Sequence, residues 1–409
     1  MTETVTIAAL GHAGDGIAET SDGRVFVPFT LPGETVEIER SGNRGQPIRI
    51  VDASPERIAP VCRHFGTCGG CALQHMERGA YLAWKTDIVR RSFALHGIDA
   101  PVDPIVPAAK IAGRRRAVFS AARTARGVVL GYYRRHANEI VAIAECPILA
   151  PAIVVGLPML REIASIVVKP RRQARIAVLA ADNGLDVAVD GGGALGDRAA
   201  ATLGRFGVDP AIARLSVNGV EVFRNRPPEI VAGAAALLPP AGGFVQAARA
   251  AEDALADAVL AHIGNAAPVA DLFAGIGTFT LRLASRAQVT AVEGDAGLLA
   301  ALEAAIRHAT GIKRVTARQR DLFANPMSPA ELDAFGAIVF DPPAAGAKAQ
   351  SETLAASRVP RIAAVSCNPA TLARDVRILI DGGCRLTRVV PVDQFLFSAE
   401  IEAVALLER

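Results

Sequence analysis

The chain has 409 residues and a net charge of +3, with 51% hydrophobic and 21% charged residues. This composition excludes a disordered chain and leaves material for about two to four domains. Six cysteines are too few for a disulfide scaffold, which indicates a protein of the reducing cytoplasm. The first residues lack the basic start of a signal peptide, and Pro239 and Pro240 interrupt the apolar stretch 231–245, so we expect no membrane segment.

Residues 1–56 contain four or five short apolar runs separated by turn signals such as Gly14-Asp15-Gly16. Strands at this spacing are typical of a small β-barrel. Residues 57–240 begin with a cysteine cluster and continue with a helical segment at about 75–100, in which Lys85 is expected on a basic face. The strand and helix signals that follow are less regular. They predict a central α+β domain that ends at the prolines and glycines of 236–243.

Residues 241–409 alternate more regularly between short apolar strands and helices, including a helix expected at 297–309. This rhythm predicts an α/β domain with a doubly wound, mostly parallel sheet. Ligands of such sheets bind at the carboxyl ends of the strands, so functional residues are expected where the strands end.

The first strand of this domain ends at Asp271 and leads into a loop with Gly275 and Gly277. Glycines let the backbone approach a ligand closely, and Glu293, at the end of the next strand, can bind a ribose diol. These features fit a dinucleotide or S-adenosylmethionine. The rigid loop Asp341-Pro342-Pro343 suits a planar base held beside a cofactor, and it favours methyl transfer.

A cysteine follows a later strand in the sequence Ser366-Cys367-Asn368-Pro369, just before a helix that is expected to begin near Ala370. A helix N-terminus can lower the pKa of a thiol, so we predict that Cys367 is a nucleophile. Cys384 lies in a turn without neighbouring motifs and is predicted to be structural.

Two carboxylates near the C-terminus could serve as a general base. If residues 401–407 form a strand, Glu400 and Glu402 lie on the same face of it, because side chains two residues apart point the same way. Either carboxylate would then lie at the edge of the sheet.

Cys62, Cys68 and Cys71 form a C-x5-C-x2-C pattern, and Cys146 precedes a proline farther along the chain. Four thiolates can hold a zinc ion or an iron–sulfur cluster. A zinc site could also recruit the two nearby histidines, His64 and His75. Structural zinc usually has two closely spaced ligand pairs, so the three-plus-one pattern with a Cys-Pro fourth ligand favours [4Fe–4S].

Five segments together resemble the family of RNA uracil-5 methyltransferases that carry an N-terminal TRAM domain. They are CRHFGTCGGCALQHM, AECPILAP, DLFAGIGTFTLRLA, VSCNPATLARD and DQFLFSAEIE. The resemblance implies an OB-like, RNA-binding TRAM barrel at 1–56 and a central α+β domain with an iron–sulfur site at 57–240. It also implies a Rossmann-like methyltransferase domain at 241–409, on which the helix at 75–100 would pack.

The resemblance implies a role for each residue that falls on a family motif. Cys367 falls on the nucleophile, and Glu402 on the base that removes the carbon-5 proton. The positions that bind S-adenosylmethionine are Gln246, Phe273, Thr278, Glu293, Asp321 and Asp341. The ligands of the [4Fe–4S] cluster are Cys62, Cys68, Cys71 and Cys146.

The implied enzyme is cytoplasmic and monomeric. It methylates carbon 5 of a uridine in RNA, with 23S ribosomal RNA favoured over transfer RNA because the TRAM domain and the cluster occur together. Departures from the family pattern at Thr278, Ala344 and Glu400 leave the nucleophile and the base in place. One alternative is an amino-group nucleobase methyltransferase, which favours an aromatic residue at position 344 and needs no cysteine. The other is a non-enzymatic RNA-binding or iron–sulfur assembly protein.

Arginines and two tyrosines cluster in the central region and could follow RNA phosphates. They are Arg114, Arg115, Arg116, Tyr132, Tyr133, Arg134 and Arg135. Replacing Arg115 is then expected to weaken RNA binding irrespective of the RNA sequence. The alternative is a solvated face above two core tyrosines.

Overall fold

Within residues 2–233 and 235–409, which the computed structural model describes, the strands form three large sheets and one two-stranded hairpin. The N-terminal sheet contains β1 (Thr2–Thr6), β2 (Ala9–Leu10), β3 (Gly16–Thr20), β4 (Gly23–Val27), β5 (Thr35–Ser41) and β6 (Arg44–Asp52). Their order is β1-β5-β6-β4-β3-β2, and alternate residues such as Val25, Val27 and Ile38 fill its core. This sheet has six strands, one or two more than the four or five predicted.

The central sheet has seven strands. They are β7 (Arg116–Thr124), β8 (Gly127–Tyr133), β9 (Ile140–Ala142), β10 (Gln173–Ala181), β11 (Gly184–Gly191), β12 (Ile212–Val217) and β13 (Val220–Arg224). Their order is β13-β12-β11-β10-β7-β8-β9, and neighbouring strands are antiparallel except for β11 and β12, which are parallel. The helical elements of this region are α2 (Pro151–Val167), α3 (Asp197–Gly204) and a 3-10 turn (Arg205–Val208). The apolar side of α2 packs on the sheet through Ile153, Leu157 and Leu160. The hairpin of β14 (Ile230–Ala232) and β15 (Ala235–Leu237) then leads into the C-terminal region.

The C-terminal sheet consists of short apolar strands. They are β16 (Val269–Leu272), β17 (Val289–Glu293), β18 (Val315–Gln319), β19 (Ala337–Phe340), β20 (Arg361–Ser366), β21 (Arg385–Val392) and β22 (Glu402–Glu408). Their order is β18-β17-β16-β19-β20-β22-β21, and only β22 runs antiparallel to its neighbours. The prediction of a mostly parallel α/β sheet is therefore confirmed.

Helices cover both faces of this sheet, as the buried, apolar strands require. They are α4 (Arg249–Ile263), α5 (Thr280–Ala284), α6 (Ala296–His308), α7 (Pro329–Leu332), α8 (Lys348–Ala355) and α9 (Pro369–Asp381). The helix α6 begins one residue before the predicted 297 because Asp295 accepts a hydrogen bond from the Leu298 amide and caps it. Cys384 is buried in the core beneath α8 and α9.

The helix α1 (Arg78–Ala94) comes from the cysteine-rich part of the chain but packs against α9 of the C-terminal sheet. Its residues Val89 and Phe93 are fully buried in the same apolar core. The prediction that Lys85 belongs to a basic face of the helix is wrong, because its side chain is fully buried and its Nζ donates to Asp393. A buried partner supplied by a distant segment cannot be read from the periodicity of one helix.

None of the helices in the two described ranges combines the length and apolar character needed to cross a bilayer.

Candidate active site

Cys367 and Glu402 come together at one edge of the C-terminal sheet. Ser366, the last residue of β20, pairs with Ala403 of the antiparallel β22. Cys367 follows Ser366 and Glu402 precedes Ala403, so the two residues lie at the same end of this strand pair, and the charge of Glu402 acts on the thiol. Cys367 is half-buried, whereas Glu402 is only 2% exposed.

The expectation that a helix N-terminus lowers the pKa of Cys367 is wrong. Burial, together with the negative charges of Glu402 and Asp341, raises the pKa of the thiol to about 11. The first amides of α9 are already engaged, because the side chain of Asn368 accepts hydrogen bonds from the amides of Ala370 and Thr371.

Asp341 follows β19 and lies on the neighbouring strand end. Loss of hydration raises the pKa of its carboxyl, and burial together with the charge of Asp341 raises the pKa of Glu402. The loop after Asp341 is tied to the cysteine segment, since the Asn368 Nδ2 and the Thr371 hydroxyl both donate to the Ala344 carbonyl, at 3.2 and 3.1 Å. The backbone that follows Cys367 is therefore joined to this loop by two hydrogen bonds.

The glycine loop after β16 is closed by Glu293. One oxygen of Glu293 accepts from the Gly275 amide and the other from the Asp295 amide, each at 2.8 Å. Gly275 has φ of 57°, and a Cβ added there would meet nothing within 4 Å, so the space above this turn is open. At Gly277, with φ of 99°, a Cβ would lie 2.5 Å from Leu302 of α6, so this glycine allows the helix to pack closely.

Asp271 lies under the same loop and was not assigned a role from the sequence. It is fully buried, and its Oδ2 accepts from the Thr280 hydroxyl at 2.5 Å. Its Oδ1 has no hydrogen-bond partner among the described residues. Burial raises the pKa of this carboxyl to about 7. A buried carboxyl oxygen left unpaired indicates a position that a bound ligand or water can satisfy.

Aromatic rings form the outer wall of this region. Phe273, with φ of 59°, directs its ring to within 5.3 Å of the ring of Phe323, which is 52% exposed. Asp321 orders the Phe323 segment, because its Oδ1 accepts from the amide of Phe323 at 2.9 Å. Thr278 is half-buried in the turn before α5. Sequence reasoning missed Phe323, although an aromatic residue two positions after a predicted pocket residue was a usable signal.

Gln246 is buried, and it is held through both its backbone and its side chain. Its carbonyl accepts from the Nε of Arg115 at 3.0 Å, and its Oε1 accepts from the Nε2 of Gln394 at 2.6 Å. The same Gln394 nitrogen lies 3.1 Å from the Oε1 of Glu402. Sequence reasoning noted the Asp393-Gln394-Phe395 segment but assigned no role to Gln394.

The loop 393–400, which precedes Glu402, is anchored by the buried face of α1. Lys85 Nζ donates to Asp393 at 2.7 Å, to the carbonyl of Glu400 at 2.7 Å and to that of Phe395 at 3.2 Å. The Tyr81 hydroxyl donates to Asp393 at 3.0 Å and accepts from the Phe397 amide at the same distance. Arg78 completes the set with a 3.0 Å contact to the other oxygen of Asp393.

The expectation that Glu400 and Glu402 share a strand face is wrong. The strand β22 begins at Glu402, and Glu400 lies in the preceding loop with an exposed side chain. The buried carboxylate next to Cys367 is therefore Glu402.

Arg115 does not belong to an exposed phosphate-binding surface. It is 6% exposed and its Nη2 lies 2.5 Å from the buried Glu252, so the prediction that it follows phosphates is wrong. The reason is burial, because a guanidinium that pairs with a buried carboxylate is not available to RNA. Arg134 pairs with Glu139 at the surface, and Arg135 pairs with Asp15 of the N-terminal sheet.

The four cysteines of the three-plus-one pattern line one cavity of about 70 Å³, together with His64 and Arg114. Burial, together with the neighbouring cysteines, raises the pKa of Cys71 to about 12. The Nε2 of His64 is buried without a partner among the described residues. In the two described ranges, however, no group of three or more His, Cys, Asp or Glu side chains converges as a metal site.

Residues 241–409 match the family model described as tRNA (Uracil-5-)-methyltransferase, and residues 1–39 match the TRAM domain. An uncharacterized RNA methyltransferase of Mesorhizobium japonicum is 48% identical and is aligned over 100% of this chain and 98% of its own length. The 23S rRNA (uracil(1939)-C(5))-methyltransferase RlmD of Halomonas elongata is 34% identical, over 99% of this chain and 89% of its own length. The chain belongs to the RNA uracil-5 methyltransferases.

A solved structure supports the fold of this RNA uracil-5 methyltransferase. The tRNA (uracil-54, C5)-methyltransferase of Pyrococcus abyssi, in complex with S-adenosyl-L-homocysteine, aligns over 99% of this chain and 100% of its own. The TM-score is 0.75 at 22% identity, so the likeness concerns the fold alone. Membership of the RNA uracil-5 methyltransferases decides against the amino-group alternative and against an RNA-binding protein without activity.

Proposed function

We propose that this methyltransferase adds a methyl group to carbon 5 of one uridine in 23S ribosomal RNA, through a covalent bond between the uracil and Cys367. The supporting observation is that Cys367 directly follows β20 and Glu402 begins β22, each one residue beyond the Ser366–Ala403 pair, and that the charge of Glu402 acts on the Cys367 thiol. A nucleophile for carbon 6 and a base for carbon 5 must reach adjacent atoms of one ring, and residues at the same end of one strand pair suit that task.

S-adenosylmethionine, when bound, supplies the methyl group. The residues around the glycine loop fit this cofactor: Glu293 retains lone pairs for a ribose diol, and the rings of Phe273 and Phe323, which contact each other, can form one apolar wall against an adenine. The open space above Gly275 leaves room for the cofactor to pass close to this turn. The other proposed cofactor contacts are Gln246, Thr278, Asp321 and Asp341.

The chain's own residues account for the remaining steps. The Cys367 thiolate adds to carbon 6 of the uracil, and the electron pair of the ring double bond moves to give an enolate. Carbon 5 of this enolate takes the methyl group. Glu402 then removes the proton from carbon 5, the double bond re-forms, and the bond between Sγ and carbon 6 breaks to return the thiolate. Asp341 lies beside the ring and can accept from the uracil N3–H.

The first step should depend strongly on pH. Because burial and the adjacent carboxylates raise the pKa of Cys367 to about 11, the thiol form predominates at neutral pH. The rate of covalent bond formation with 5-fluorouridine RNA, followed by denaturing electrophoresis, should rise about tenfold per pH unit between about pH 6 and 9. Glu402→Gln removes one negative charge and should move this profile to lower pH. A rate that stays flat over that range would contradict the assignment.

The 23S target is supported by the 34% identity to an enzyme whose name gives a 23S rRNA uridine. A transfer RNA target remains the second candidate, favoured by the name of the matching family model. Incubating the enzyme and labelled S-adenosylmethionine with transcripts of 23S rRNA domains and with transfer RNA, then mapping 5-methyluridine, tests the proposal. Incorporation into one uridine of a 23S transcript is expected, and incorporation into transfer RNA alone contradicts it.

We further propose that Cys62, Cys68, Cys71 and Cys146 hold a [4Fe–4S] cluster in a structural role. A single zinc ion needs thiolates that converge to about 2.3 Å from one point, whereas a cluster fills the space between its ligands, as an open cavity allows. The cluster would tie the segment 62–71 to the loop before α2, and no step of the methylation requires it.

Protein purified without oxygen should therefore be brown and contain about four irons per chain. Cys68→Ser should lose the iron and unfold at a lower temperature, because the ligands join distant segments. The matched control is Cys384→Ser, a buried cysteine outside the cavity, which should keep its iron. Stoichiometric zinc in place of iron would refute the assignment.

A further inference from the structure

The side chain of Gln394 connects two residues with different proposed tasks. Its Nε2 lies 2.6 Å from the Oε1 of Gln246 and 3.1 Å from the Oε1 of Glu402. All three side chains are at most 3% exposed. An amide nitrogen carries two N–H groups, and here each faces one acceptor, so the donor capacity of Gln394 is fully used.

The two contacts of Gln394 determine which side-chain atoms of Gln246 and Glu402 remain without a hydrogen-bond partner. Because the Oε1 of Gln246 is occupied, its NH2 group is turned away, and no residue in the two described ranges accepts from it. Because the Oε1 of Glu402 is occupied, its Oε2 is the oxygen without a partner in the described part of the chain. Turning the Gln394 amide over would set its oxygen against both acceptors, so the orientation is determined by the partners.

We propose that Gln394 is a positioning residue that directs the free oxygen of Glu402 toward the carbon-5 proton and the amide of Gln246 toward the cofactor. This inference rests on the proposed covalent route. Gln394 touches neither carbon 5 nor the sulfur of Cys367, so it should affect proton removal without affecting the attack of the thiolate. Its neighbour Asp393 is held by Lys85, which fixes the backbone from which Gln394 extends.

A fluorinated substrate separates the two steps. With uridine RNA, turnover requires both the attack of Cys367 and proton removal by Glu402. With 5-fluorouridine RNA, the enzyme attacks and methylates, but carbon 5 carries fluorine in place of the proton, so the adduct persists. The rate of adduct formation on this RNA therefore reports the early steps alone.

The experiment compares the parent enzyme with Gln394→Leu at saturating cofactor. We expect turnover of uridine RNA to fall about 10- to 100-fold, the loss typical of a hydrogen bond to a charged group, while adduct formation on 5-fluorouridine RNA changes less than about threefold. A methylated covalent complex should also accumulate with uridine RNA. The cofactor should bind more weakly, because the amide of Gln246 is no longer oriented.

Two further variants distinguish a specific effect of Gln394 from a general loss of folded structure. Gln394→Met keeps the length of the side chain without a donor or a new charge, so it should repeat the selective loss. Gln350→Leu removes another buried glutamine, whose side-chain amide forms hydrogen bonds with Met327 and Thr353. This variant should lower turnover of uridine RNA and adduct formation on 5-fluorouridine RNA equally, or change neither. Equal losses on both RNAs in Gln394→Leu, or unchanged turnover of uridine RNA, would overturn the inference. A parent enzyme that forms no adduct at all would instead overturn the covalent route.

Discussion

Glu402→Gln is expected to stop the reaction after methyl transfer and to leave methylated RNA covalently bound to the enzyme. The thiol of Cys367 can still attack, but the carbon-5 proton has no acceptor, so the bond between Sγ and carbon 6 cannot break. Turnover should fall by about two to four orders of magnitude, the usual contribution of a positioned base. Denaturing electrophoresis with labelled RNA should reveal a band that contains both protein and the transferred methyl group.

Matched variants make this expectation specific. Glu400→Gln changes an exposed carboxylate of the preceding loop and should turn over normally. Cys367→Ala should bind RNA but give neither adduct nor product, and the double variant Cys367→Ala/Glu402→Gln should give no band. If Glu400→Gln traps the complex while Glu402→Gln turns over normally, the assignment of the base is wrong.

Lys85→Met is expected to lower the free energy of unfolding by about 3 kcal/mol, the lower end for breaking a buried ion pair, because Arg78 and Tyr81 still contact Asp393. The loss arises because Asp393, which is fully buried, keeps its charge without its closest partner. Urea unfolding at neutral pH measures it. Adding Asp393→Asn should recover part of the stability by removing the unpaired charge.

The control for this prediction lies on the same helix. Arg91 forms an exposed ion pair with Asp87 one turn away, and Arg91→Met should cost less than about 1 kcal/mol. If Lys85→Met costs no more than Arg91→Met, the buried contact with Asp393 contributes little to stability.

Elements with a local signal were predictable from the sequence. The parallel strands of the C-terminal sheet and the helix α6 follow from apolar runs, turn residues and caps. The candidate nucleophile could be located because the carboxyl ends of parallel strands meet at one edge. The roles of Lys85, Arg115 and Gln394 could not be predicted, because each depends on a partner more than a hundred residues away or on burial by another domain. The pKa of Cys367 was misjudged because the carboxylates that raise it come from other strands and because the adjacent Asn368 caps the helix.

The loop 393–400 has a consequence for the modularity of this enzyme. By sequence it belongs to residues 241–409, yet it is held by α1 through Lys85 and by the amides of Ala72 and Leu73, which donate to the Phe397 carbonyl. A fragment of residues 241–409 would contain every proposed catalytic residue but lack the groups that fix the segment before Glu402. Recombination that exchanged only residues 241–409 between relatives would separate Glu402, the proposed base, from the groups that hold the preceding loop. The unit that can be inherited or transplanted as a working methyltransferase therefore includes α1 and residues 72–73.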